Sequence, residues 1–136
     1  MSEPLTGRCA CGAVSYTLRR RPRSVVNCHC SMCRRHNGAA FSSYAVIPER
    51  FFELQDARGA LAGYGYSERV HKHFCRHCGT PLFNTNSRYP QFRMLFLGTL
   101  DTPQTLRPTA NIFCSSQLDW VRGIDAITSY PEVLGE

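Results

Sequence analysis

The chain has 136 residues, enough for one domain (1–136) with a buried core, and its 43% hydrophobic content excludes a generally disordered protein. No run approaches the ~20 apolar residues of a membrane-spanning helix, and no secretory h-region follows "MSEPLTGRCACG", so a soluble cytoplasmic protein is expected. The formal net charge of +6 would suit a polyanion, yet among the 16 basic residues only Lys72 is a lysine, and arginine serves a small carboxylate ligand equally well.

Eight cysteines set the theme. In a reducing compartment this density reads as metal binding or redox chemistry and not as a disulfide framework. If seven of the thiols held two zinc ions as thiolates, the working charge would fall to roughly +3, which further weakens the case for nucleic acid.

In chain order, "CACG" at 9–12 is the first feature. Residues two apart on an extended backbone point to one side, so Cys9 and Cys11 can reach a single ion. A strand is expected at 13–18, followed by an arginine run around Pro22 that reads as a solvated loop. "NCHCSMCRRHN" then brings Cys28, Cys30 and Cys33, with a helical turn over 31–37 that Ser31 would cap. Strands are expected at 40–47, 69–75 and 92–100, rich in β-branched and aromatic residues. Within the second of these, Val70, Lys72 and Phe74 alternate with His71 and His73. "CRHCG" at 75–79 has the form of a zinc knuckle leading into a further strand at "TPLF", with Gly79 suited to a positive φ. No βαβ pattern surrounds this pair, which argues against a thioredoxin-type redox role. Cys114 reads as a small buried hydrophobe and Trp120 as core. The expected class is all-β, with metal-bound knuckles in the turns.

Spacing leaves the partition of ligands open. Cys9 and Cys11 with Cys75 and Cys78 make one set of four, but Cys28 and Cys30 with Cys75 and Cys78 can be written as readily. The remaining trio lacks an evident fourth partner, for which Cys114, a histidine, water or a substrate thiol are candidates. His29, between two of these cysteines, should point away from any metal they hold. His36 is a candidate proton relay, whereas His71, His73 and His77 read as partly or fully solvated.

The blocks "GRCACGAVSYTL", "CHCSMCRRHNGAAFSSYAVIP", "HFCRHCGTPLF" and "ANIFCSSQLDWVRGIDAITSYPEV" together resemble the glutathione-dependent formaldehyde-activating enzyme family, in the family's order and over nearly the whole chain. The resemblance implies a β-tent of small antiparallel sheets stapled by zinc, with two Zn²⁺ per chain. By position it implies a structural zinc on Cys9, Cys11, Cys75 and Cys78, and a catalytic zinc on Cys28, Cys30 and Cys33. The implied activity is that of a carbon–sulfur lyase joining glutathione thiolate and formaldehyde as S-hydroxymethylglutathione. Arg34 and Arg35, directly after Cys33, are candidate partners for the two glutathione carboxylates. One departure stands out: Asn111 lies where the family often has histidine. Two rivals remain at this stage, a glutathione or zinc carrier without turnover and a zinc-stapled module binding nucleic acid or protein.

Overall fold

A computed structural model of the chain describes residues 4–136. Ten short strands follow one another: β1 (Leu5–Arg8), β2 (Ser15–Leu18), β3 (Ser24–Cys28), β4 (Ser42–Pro48), β5 (Phe52–Gln55), β6 (Leu61–Gly65), β7 (Val70–Cys75), β8 (Pro81–Asn86), β9 (Phe92–Phe96) and β10 (Ala110–Ile112). Among the described residues the one α-helix is α1 (Ser31–Asn37). The strands form a three-stranded sheet, β1-β2-β5, and a seven-stranded sheet, β10-β3-β4-β9-β8-β7-β6. The all-β expectation therefore holds. Pairing is antiparallel except where β10 lies parallel to β3, a crossover that the short local spacing did not reveal.

Side-chain alternation splits the large sheet into two unlike faces. Val25, Ala45, Ile47 and Leu95 turn to one side and pack with Tyr16 and Leu18 of the small sheet and with Val14 just before β2. Phe52 of β5 bridges the layers, with edge contacts to Tyr16 at 5.5 Å and to Phe83 at 5.1 Å between ring centroids. The opposite face carries Cys28, Tyr44, Met94 and Phe96, a second and smaller cluster. Cross-strand register places Ser24 beside Val46, Val46 beside Met94, Met94 beside Asn84, and Asn84 beside Lys72 on that same face. The metal-ligating candidates and a row of polar groups thus share one side of one sheet.

The expected strand at 92–100 stops at Phe96 and turns through a short 3-10 segment, Leu97–Thr99. This turn brings Thr99 to the hydroxyl of buried Tyr16, with Oγ1 and Oη 2.7 Å apart. Gly7 lies directly across from Tyr16, where an added Cβ would overlap both the Tyr16 ring and the Thr99 carbonyl. Gly7→Ala should therefore destabilise the protein by about 1–3 kcal/mol through overpacking. A urea midpoint equal to wild type would show that the two sheets can part at no cost.

Candidate metal centres and the adjoining cavity

The four-thiol set is built from two glycine-assisted turns. After β1, Gly12 adopts φ 80° and donates its N–H to the Cys9 carbonyl at 3.1 Å, bending Cys9 and Cys11 to one side. At the end of β7, Gly79 adopts φ 79° and donates to the Cys75 carbonyl at 2.7 Å, as its place in the knuckle suggested. The Ala10 N–H donates to Thr80 Oγ1 at 3.0 Å, tying one turn to the other. The sulfurs of Cys9, Cys11, Cys75 and Cys78 all lie within 4.8 Å of one another. Cys11 Sγ is 3.7 Å from both Cys9 Sγ and Cys75 Sγ. A tetrahedral ion with sulfur at about 2.3 Å would separate its ligands by about 3.8 Å. The cluster is thus already spaced for a metal, and the alternative set pairing Cys28 and Cys30 with Cys75 and Cys78 does not occur. The Cys78 thiol is held down to about 5, chiefly by the Thr80 hydroxyl, whose Oγ1 is 3.1 Å from its sulfur.

The second set gathers Cys28 at the end of β3, Cys30 in the following bend and Cys33 in the first turn of α1. Their three sulfurs also lie within 4.8 Å of one another, and no fourth Cys, His, Asp or Glu of the described residues completes the group. Cys30 is the N-cap of α1, its sulfur accepting the Cys33 N–H at 3.3 Å, so the helix begins one residue earlier than a Ser31 cap would place it. One residue thereby serves as both helix cap and candidate ligand. The sulfur separations are 3.1 Å (Cys30–Cys33) and 3.4 Å (Cys33–Cys28), closer than the about 3.8 Å that a tetrahedral ion would set between its ligands. Within the trio the Cys33 thiol is drawn down to about 5, first through its contact with the Cys28 sulfur and then through those with Tyr44 and Cys30, with the Lys72 charge adding to them. Cys28 is pushed up by its bond to Cys33 and by burial. One thiolate forms readily here, and removing further protons calls for a cation. An all-sulfur donor set suits a soft or borderline metal ion.

Behind the trio runs a polar chain absent from the sequence reading. Asn84 Nδ2 donates to Tyr44 Oη at 2.9 Å, which leaves the Tyr44 hydroxyl to donate to Cys33 Sγ at 3.2 Å. Lys72, beside Asn84 in register, is 0% exposed, and its Nζ has no hydrogen-bond partner among the described residues. Burial pulls its pKa down, while the Cys33, Cys30 and Cys28 thiols push it back up. A buried ammonium without a partner is costly, and a negatively charged metal–thiolate group alongside would relieve it.

Other expected residues fall elsewhere. The Arg34 guanidinium donates to the backbone carbonyls of His29 at 3.2 Å and of Ser116, lashing the segment after β10 over α1. Arg35 is exposed. His29 is buried, with Nε2 3.1 Å from Asn111 Oδ1, an oxygen that also accepts from Asn27 Nδ2 at 3.2 Å. Asn111 thus anchors His29 behind the ligand loop. His36 is half-buried, and burial followed by the Lys72 charge lowers its pKa. His77 is exposed. Cys114 lies exposed in a 3-10 turn and Trp120 is 59% exposed, so neither belongs to the core. Both were expected inside because the pattern around them is apolar, but the segment after β10 runs across the surface.

The sheet face bearing the trio opens into a cavity of about 760 Å³. Cys28, Cys30, Cys33, Tyr44 and Asn84 line one part of it, and Val26, Val46, Phe92, Met94, Ile112 and Phe113 supply apolar wall. Phe113 holds φ 57°, the only non-glycine positive φ among the described residues, which marks the turn that closes this wall.

The profile of the family "Glutathione-dependent formaldehyde-activating enzyme" matches residues 4–116, which include all seven clustered cysteines. This chain belongs to that family. A Halomonas elongata protein provisionally named a glutathione-dependent formaldehyde-activating enzyme is 25% identical over 126 residues, covering 86% of this chain and 79% of its own length. The crystal structure of a Rhodobacter sphaeroides protein superposes with a TM-score of 0.63 at 21% identity, over 78% of this chain and 98% of its own. That likeness is one of fold. No helix among the described residues is long and apolar enough to cross a membrane.

Proposed function

We propose that this family member binds two zinc ions, a structural one at Cys9, Cys11, Cys75 and Cys78 and a catalytic one at Cys28, Cys30 and Cys33, and acts as a carbon–sulfur lyase on a glutathione–formaldehyde adduct. The observation that carries this reading is the contrast between a closed four-thiol set and a three-thiol set that faces a cavity. Closed four-ligand zinc is structural, whereas catalytic zinc keeps one position free. A zinc ion in the trio would supply ionisation of an incoming thiol near neutral pH and a fixed place for its sulfur.

The chain's own groups then have distinct tasks. Cys28, Cys30 and Cys33 define the place where the glutathione sulfur sits. Tyr44 donates to Cys33 and so steadies the charge on that sulfur. Lys72 balances the net negative charge that grows when a fourth thiolate joins three others. Arg34 holds the Ser116 segment against α1 and thereby shapes the cavity's edge. In the forward direction the thiolate sulfur bonds to the formaldehyde carbon, and the carbonyl oxygen takes up a proton to give the S-hydroxymethyl product. In reverse, the carbon–sulfur bond breaks and the hydroxyl loses its proton. Proximity of the two reactants accounts for part of the acceleration.

Native mass spectrometry tests the reading. The wild-type protein should carry two zinc ions and take up one glutathione. Cys30→Ala should keep one zinc and its fold and lose the glutathione, because Cys30 is the least buried member of the trio. Undiminished glutathione uptake by Cys30→Ala would overturn the open-site assignment. Turnover no faster than the uncatalysed addition would leave a carrier in place of an enzyme.

A further inference from the structure

We infer that the segment after β10 docks on a second copy of this chain. Its acidic and apolar face lies against a basic patch of the other copy, and two reciprocal contacts close a two-fold dimer. The inference is independent of the thiol-site reading. Across residues 113–136 no residue is buried. Phe113 is 61% exposed and Ile127 65%, and Trp120, Ile124 and Tyr130 are exposed with them. The segment is nonetheless regular. It runs through 3-10 turns at Cys114–Ser116 and Asp119–Ala126, and Arg34 ties its start to α1 through the Ser116 carbonyl. Holding a backbone in one shape costs conformational entropy, which buried side chains ordinarily offset. Here one chain supplies almost no cover, and an apolar face of this extent marks a surface that meets another protein.

Charge identifies the occupant. The segment sets Arg122 against Asp119, Asp125, Glu132 and Glu136, a formal −3. Residues 1–112 therefore stand at +9, and at roughly +6 if both thiol sets hold zinc. The two ion pairs among the described residues, Arg19–Glu53 and Arg93–Glu49, use none of the segment's acids, which thus stay unpaired within one chain. Acidic and apolar residues adjoin along it, Asp119 next to Trp120 and Asp125 next to Ile124. A matching surface surrounds Phe51, just before β5. Arg20 and Arg50 stack over its ring, their guanidinium carbons 4.5 Å and 4.8 Å from the centroid, and Arg21 follows Arg20. All three arginines are exposed and lie outside both ion pairs. A guanidinium held over a ring keeps N–H groups free for a carboxylate. Each copy carries both halves of the match, as a two-fold pair requires. A specific interface engages about 20–30 residues a side, and the 24 residues of the segment together with this patch reach that size. Phe113 and Ser116 also line the cavity beside the three-cysteine set, so pairing steadies one of its walls.

Sedimentation velocity of the full chain across a wide range of concentration tests this. The protein should pair, and emission from Trp120, its only tryptophan, should shift to the blue as it does so. Trp120→Ser with Ile124→Ser should weaken pairing by roughly tenfold or more. Its circular dichroism melt should match wild type, since both side chains are exposed. Charge exchange checks the two halves together. Asp119→Arg with Asp125→Arg, and separately Arg20→Glu with Arg50→Glu, should each be monomeric alone. Mixed, the two variants should form a heterodimer, because both contacts then join opposite charges. A wild-type protein that stays monomeric at every concentration would overturn the inference. So would a dimer that the double serine variant leaves intact, or charge variants that fail to pair on mixing.

Discussion

Cys75→Ala should yield a protein that is unfolded or aggregated at room temperature, with at most one zinc bound. Cys75 is fully buried and completes a cluster that joins the turn after β1 to the end of β7, elements in different sheets. Structural zinc contributes about 10–16 kcal/mol of apparent binding free energy. That is comparable to or larger than the total stability of a typical domain, about 5–15 kcal/mol. Losing one thiolate also leaves Cys9 and Cys11 facing no ion across the sheet boundary. Circular dichroism and zinc content of the purified variant decide the matter. A cooperative melt near that of wild type would mean the two sheets hold together through Tyr16, Phe52 and Phe83 alone.

The second large effect is expected at Lys72, with opposite signs in the two metal states. In the metal-free protein, Lys72→Met removes a buried amine that has no hydrogen-bond partner among the described residues and replaces it with an apolar chain of similar reach. The melting temperature should stay level or rise. In the zinc-loaded protein the same change removes the positive charge beside the trio, and affinity for the second zinc should fall by about 10–100-fold. A tenfold loss takes about 1.4 kcal/mol from the stabilisation that saturating zinc confers. Lys72→Arg, if it folds, should recover part of the affinity because the charge survives. Chelator competition, run with thermal melts of both forms, measures all of this. Equal zinc affinity in Lys72→Met, or a metal-free melt several degrees lower, would remove Lys72 from the site.

Lys72 also shows where the sequence stopped being informative. Alternation set Lys72 on the strand face of Val70 and Phe74, opposite His71 and His73, but gave no reason for a lysine to be buried. It is buried only because the far face of β7 is covered, and coverage is a tertiary fact that no local pattern records. The same limit explains Tyr44 and Asn84. They lie forty residues apart, on β4 and β8, and meet only through the intervening β9. The strands at β2, β4, β7 and β9 were legible because β-branched and aromatic residues crowd there. β1, β3, β5 and β6 are brief and mixed in composition, and their pairing partners define them. Both thiol clusters were legible as groups. No spacing rule sets Cys9 beside Cys75, so the division of the sulfurs into these two groups came from resemblance and is seen only in the fold. Arg34 followed Cys33 closely enough to suggest a ligand contact, but the turn of α1 directs it to backbone carbonyls.

The unequal covering of the two clusters has a consequence for how the protein would age. Cys11 and Cys78 are exposed, whereas Cys28 and Cys33 are buried and Cys30 is partly covered. Hydrogen peroxide diffusing from solvent meets thiolates in order of access and ionisation. It reaches the knot that fastens one sheet to the other before it reaches the sulfurs that face the cavity. If a metal ion fastens that knot, oxidative injury would then announce itself as metal release and loss of shape, in molecules whose three-cysteine set is still chemically intact.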